Sequence, residues 1–303
     1  MHFNDLPDDV LALVFRAVQP AIKRQLSDVK DGMGLLSVCR RWREVAIPMV
    51  YDTVVVKCGT EGTENIDGPE NVDINTTLDL VVDAKCLHMV RKVLIDVCYR
   101  TSPFQGLKAV IERMRGAAGE WAGVRKLELS LNAWGYGDSE LDTPAADHED
   151  EIASVSSRLT ALMPGVREIK FDAFMQTPVV IVLFGQLASF YADKLQVLHS
   201  SSQFILPQDR VFARLRDVNI TGFYSGPLEG QLPRLDPEVV ESLVLDGLTA
   251  NEMWSMFCAD SDDCAITFPR LTNLDLGYRP SFRMDPEQLS GEHPWALQFP
   301  ATK

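Results

Sequence analysis

The sequence has no apolar run longer than six residues, as at Val179–Phe184. A bilayer-spanning helix needs about 20, so none is expected. There is no CxxC pair either: Cys39, Cys58, Cys86, Cys98, Cys258 and Cys264 are scattered. An even count alone does not argue for disulfides in a chain this long. The cysteines read as reduced thiols of an intracellular protein, in the cytoplasm or nucleus. The start, Met1–Asp9, lacks a basic segment followed by an apolar one, so no signal peptide is expected. Cations are scarce, with 29 Lys and Arg against 43 Asp and Glu and a net charge of -14. Phosphate binding needs clustered Lys and Arg, so nucleic acid and anionic membrane are not expected partners.

Catalytic and cofactor motifs are missing too. No GxGxxG, GxxxxGK(S/T) or GxSxG occurs. The run Asp138–Glu151 (DSELDTPAADHEDE) holds one histidine and seven carboxylates, which admits a metal-dependent hydrolase as a rival reading. It lacks the fixed spacing of HExxH or an EF-hand loop. A solvated acidic loop is the expectation, with Asp147, Glu149 and Glu151 suiting a helix start. The five histidines (His2, His88, His148, His199, His293) are dispersed. The expectation is therefore a non-enzyme with no cofactor and no metal.

What is present begins at the N-terminus. Residues 6–18 read as a short helix, with Pro7 at the first helical position and Asp8 and Asp9 in the first turn. Its apolar stripe is Val10, Leu11, Val14, Phe15 and Val18, and Pro20 ends it. A polar connector fills 20–34. In LLSVCRRWREVAIP, Leu35, Val38, Cys39, Trp42, Val45 and Ala46 recur at helical spacing, and Pro48 ends the pattern. Arg40, Arg41 and Arg43 fall off that stripe and need only be solvated. YDTVVVK at Tyr51–Lys57 reads as a strand, and 58–75 as a loop rich in Gly, Glu, Asn and Asp.

From there the chain repeats. VRKVLIDVC (Val90, Val93, Ile95, Cys98) and VRKLELSLN (Val124, Leu127, Leu129, Asn132) fit L-x-x-L-x-L-x-x-N/C. Looser copies start at Val166, Leu195, Leu215, Val240 and Leu271, giving spacings of 34, 42, 29, 20, 25 and 31 residues. Helices are expected between them at Phe104–Gly116, Glu149–Met163, Pro178–Lys194 and Asn251–Cys258. One strand–helix unit cannot bury its apolar face alone, whereas stacked units can. FPATK at Phe299–Lys303 starts like FPRLTNL at Phe268–Leu274. A truncated last repeat, or a cap made by Phe299, is the expectation there.

The two N-terminal helices, LPDDVLALVF and LLSVCRRW, together resemble the F-box at Leu6, Pro7, Val10, Leu11, Phe15, Val38, Cys39, Arg41 and Trp42. The connector between them is several residues longer than in the compact F-box, and PMVYDTVVV replaces the family's usual tail. The repeats look like the irregular leucine-rich-repeat branch of that family found in fungi. The resemblance implies an α/β chain in three parts: an F-box-like helical module at 1–50, a leucine-rich-repeat-like solenoid at 51–279, and an irregular tail or truncated last repeat at 280–303. It also implies a substrate-recognition adaptor that docks the Skp-family linker of a cullin–RING ubiquitin ligase. Leu6, Pro7, Val10, Leu11, Phe15, Val38, Cys39 and Trp42 would meet the linker. Trp42 stays open between internal core and partner contact. A ligase-independent scaffold is the alternative.

Residues flanking the inward leucines should face the other side of each strand. The candidate substrate face includes Lys92, Lys126, Glu128, Lys170, Asp172, His199, Asn219, Asp246 and Asp275. Over the seven copies three lysines oppose seven carboxylates. A protein substrate with a basic segment is the expected occupant, above all on the later repeats.

Overall fold

The computed structural model describes residues 6–18, 38–60, 72–99, 102–118, 121–133, 145–173, 177–201, 211–221, 235–248 and 268–278. The connector 20–34, the expected helix Asn251–Cys258 and the tail 280–303 lie outside the described residues.

Alternation of apolar and polar residues makes the strands. Lys92–Tyr99 (β3) and Lys126–Ala133 (β4) bury every second residue. Glu168–Ala173 (β5), Val197–Ser200 (β6) and Asp217–Ile220 (β7) do the same. Ser242–Leu248 (β8) and Asn273–Tyr278 (β9) complete the seven expected copies. Thr53–Thr60 (β1) precedes them. All eight strands run parallel, in the order β1-β3-β4-β5-β6-β7-β8-β9. A ninth strand, Val72–Thr76 (β2), pairs antiparallel with β1 at the sheet's edge. It falls in the segment expected to be a loop, and Leu78–Asp83 (α3) follows it. The fold is α/β, an open and mostly parallel sheet with interleaved helices, as in a solenoid.

Pro103–Ala118 (α4), Glu149–Leu162 (α5) and Pro178–Phe190 (α6) cover the sheet's apolar face. Thr177 caps α6 by accepting a hydrogen bond from Val180 N at 3.3 Å, and Pro178 occupies the first turn. The helix ends at Phe190 rather than Lys194. Phe184 then stacks on Phe171 of β5 at 4.3 Å between ring centroids. Three acidic residues, Glu149, Asp150 and Glu151, open α5. Their charge suits the positive end of the helix dipole. The short spacings shorten the elements: β6 and β7 have four residues each.

The two N-terminal helices are Asp8–Val18 (α1) and Arg40–Val50 (α2). Pro7 is the cap rather than the first helical residue, because its carbonyl accepts from Leu11 N at 2.9 Å. Pro48 does not end α2 but sits in its last turn, and Tyr51 N closes the helix on Ile47 O. A proline there costs one hydrogen bond where the helix is already ending. Leu11, Phe15 and Ala46 form a small core of their own, with Trp42, Val45, Met49 and Val50 packed on it. Val50 also packs on the main core, which joins the pair to the sheet. Among the described residues no helix is long and apolar enough to cross a membrane.

Candidate protein-interaction face

The register turns the outward residues of the parallel strands into rows. One row runs Thr53, Lys92, Lys126, Glu168, Val197, Asp217, Ser242, Asn273. The next runs Val55, Leu94, Glu128, Lys170, His199, Asn219, Val244, Asp275. A third begins Lys57, Asp96, Ser130, Asp172. Asp246 falls opposite Gly277 in the β8–β9 pairing; its side chain is outside the described residues. The fold therefore brings the candidate face residues other than Asp246 onto one side of one sheet.

Charge on this side is organised. Lys92 Nζ lies 2.7 Å from Glu128 Oε1, and Lys126 Nζ lies 3.5 Å from the same oxygen. Lys126 also reaches Glu168 Oε2 at 3.7 Å. Burial alone would raise the Glu128 carboxyl. The Lys92 hydrogen bond and the charges of Lys92, Lys126 and Lys170 outweigh it and hold the group below the usual carboxylate range. Asn132 donates to Asp96 Oδ1 and to Ser130 Oγ, both at 3.0 Å. Burial first, and then the Asp96 charge, push the Cys98 thiol up, so it is a poor nucleophile. Farther along, His199 Nε2 lies 3.2 Å from Asp217 Oδ2, and Ser201 donates to Asp172.

A cavity of about 160 Å³ opens on this side over β1, β3, β4 and β5. Val55 and Leu94, with Ile95 and Leu129, supply its apolar part, and Lys57, Asp96, Lys170 and Asp172 line it. Among the described residues neither Lys57 nor Lys170 has an ion-pair partner within 4.0 Å. Val55 and Lys57 lie outside the sequence-based set. Three consecutive valines carry no alternation, and β1 lies before the first repeat. With Lys57 the outward lysines number four, on β1, β3, β4 and β5. None lies on β6 to β9.

The N-terminal set divides. Leu11 is 0% and Phe15 1% exposed. Phe15 meets Trp42 edge-on at 5.0 Å between ring centroids. Leu11 and Phe15 fill the pair's own core, so they offer no contact to a partner in this form, contrary to expectation. Trp42 is half-buried on the same core. Leu6 and Val10 are half-buried, and Pro7 is exposed. Cys39 caps α2, its sulfur accepting from Trp42 N at 3.5 Å. Val38 is 57% exposed, and so is Leu13 at 60%, a residue that helical periodicity places off the stripe. Arg41 is more than solvated: its Nη2 sits 2.7 Å from Asp8 Oδ1 and bonds the Leu6 carbonyl, clamping α2 to the start of α1.

The acidic run Asp138–Glu151 is described from residue 145 onward. Glu151 bonds Lys108 Nζ at 2.5 Å and His148 Nδ1 at 3.0 Å, which ties α5 to α4. Among the described residues no group of three or more His, Cys, Asp or Glu is placed to hold a metal ion. No protein-family model matches the chain, nor does any curated protein or solved structure.

Proposed function

We propose that this chain is a non-catalytic recruiting adaptor with two binding surfaces. The helix pair α1–α2 meets the Skp-family linker of a cullin–RING ubiquitin ligase, and the outward side of the sheet holds a protein substrate. The first half rests on the F-box resemblance of Leu6–Trp42. Exposure supports keeping Pro7 and Val38 in that contact and adding Leu13, in place of the buried Leu11 and Phe15. The observation that carries the reading is the register: it aligns outward side chains from eight parallel strands into continuous rows. Such a surface suits extended macromolecular contact better than enclosure of a small substrate.

Affinity purification of the tagged full chain from its own cells tests the proposal. The linker and a cullin should co-purify. Their absence, with other proteins retained through the sheet, would leave a scaffold that works outside any ligase. The burial of Leu11 and Phe15 within the pair is what favours that second reading.

A further inference from the structure

The outward side of the sheet changes in chemistry from one end to the other, and that gradient specifies an occupant. At the β1–β3 end, Val55 and Leu94 are register neighbours and belong to the apolar part of the cavity. Around them the lysines and carboxylates of β1, β3, β4 and β5 are equal in number: Lys57, Lys92, Lys126 and Lys170 against Asp96, Glu128, Glu168 and Asp172. In the cavity wall itself Lys57 and Lys170 stand with Asp96, Glu128 and Asp172 around the apolar part, so neither sign dominates strongly and the apolar part takes an uncharged apolar side chain. Beyond β5 no outward lysine remains. Among the described residues Asp217 has His199 as its one ion-pair partner, and exposed Asp275 has none.

We infer that the face binds an extended segment of another protein that carries an apolar anchor followed, at a fixed distance, by basic residues. The inference rests on the adaptor reading of this face and adds the chemistry of its substrate. Strand spacing sets the distance. Neighbouring strands lie about 4.8 Å apart and an extended chain advances about 3.3 Å per residue. Asp217 on β7 is four strand steps from Leu94 on β3, and Asp275 on β9 is six. The basic residues therefore belong about six and nine positions from the anchor. The apolar group supplies the desolvated centre of the contact. The basic groups supply orientation and a salt-dependent association rate.

The test uses the full chain and labelled ten-residue peptides read by fluorescence anisotropy. Each carries leucine at one end and arginines six and nine positions along, in both chain directions. At least one direction should bind. Replacing the leucine by serine, or moving both arginines beside it, should weaken that binding at least tenfold. Leu94→Glu should match the first loss. Asp217→Asn with Asp275→Asn should match the second and weaken the salt dependence, with unchanged circular dichroism showing that the variants fold. Absence of binding in both directions, or equal binding of the rearranged peptide, overturns the inference. Linker binding is measured on the same protein. Its loss with peptide binding intact removes the ligase reading alone, and the reverse pattern removes this inference alone.

Discussion

Arg125 donates from Nη1 to the carbonyl oxygen of Gly165, 40 residues further along the chain, at 3.2 Å. The same nitrogen bonds Ala122 O at 2.9 Å, so one guanidinium fastens the turn before β4 to the turn before β5. Arg91 repeats the arrangement one unit earlier, bonding His88 O at 2.9 Å and Gly123 O at 3.4 Å. The first three repeats are thus laced in sequence at one edge of the sheet, beside the backbone ladder that runs Asp52, Arg91, Arg125, Arg167.

That lacing leaves no room at Gly165. An added Cβ would stand 2.0 Å from Arg125 Nη1, 2.6 Å from Ala122 O and 2.9 Å from Val124 O. The arginine side chain can swing away, but the two carbonyls belong to the backbone. Gly165→Ala should lower stability by about 1–3 kcal/mol, read as a shifted urea midpoint at constant slope. Gly116→Ala in α4 is the control, since nothing lies within 4 Å of its added Cβ. It should gain roughly 0.5–1 kcal/mol through helix propensity.

Burial separates two neighbours on α1. Leu11→Asp puts a charge into a site that is 0% exposed, and the helix pair should lose its packing. Hydrogen exchange at α1 should rise while β3 to β5 stay protected. Leu13→Asp lies on a side chain 60% exposed and should leave exchange unchanged. If Leu13→Asp abolishes linker binding while α1 stays protected, Leu13 is a docking residue. If only Leu11→Asp abolishes it, the effect is on folding.

Glu128 links stability to acid. Its folded pKa is lowered, so its contribution is present above the unfolded value and disappears as pH falls through the folded one. Glu128→Gln should be the less stable protein at neutral pH, because Lys92 and Lys126 lose their shared partner. The gap between the two proteins should close on acidification through and below the usual carboxylate range. Urea midpoints across that range measure it; a gap that widens toward acid contradicts the assignment.

Much of the sheet is legible because VRKVLIDVC and VRKLELSLN alternate strictly, and alternation determines which side of a strand is buried. All seven copies form parallel strands in chain order. β1 reads short and its outer residues escape, since Val54, Val55 and Val56 give no contrast between faces. β2 escapes because Val72–Thr76 is brief and set among turn formers, where only pairing with β1 makes it a strand. The helix pair shows a different limit. Periodicity finds the stripe holding Leu11 and Phe15, but not what covers it. The cover is Trp42 from a segment 27 residues beyond Phe15, a long-range contact that no local pattern encodes.

The most direct measurement is calorimetric titration of a purified Skp-family linker into the purified full chain, repeated with Leu13→Asp combined with Val38→Asp. The account predicts a one-to-one complex with the unaltered chain and at least a hundredfold weaker binding by the double variant, whose fold is intact by circular dichroism. No heat of association with the unaltered chain, or equal affinity in the double variant, would contradict it.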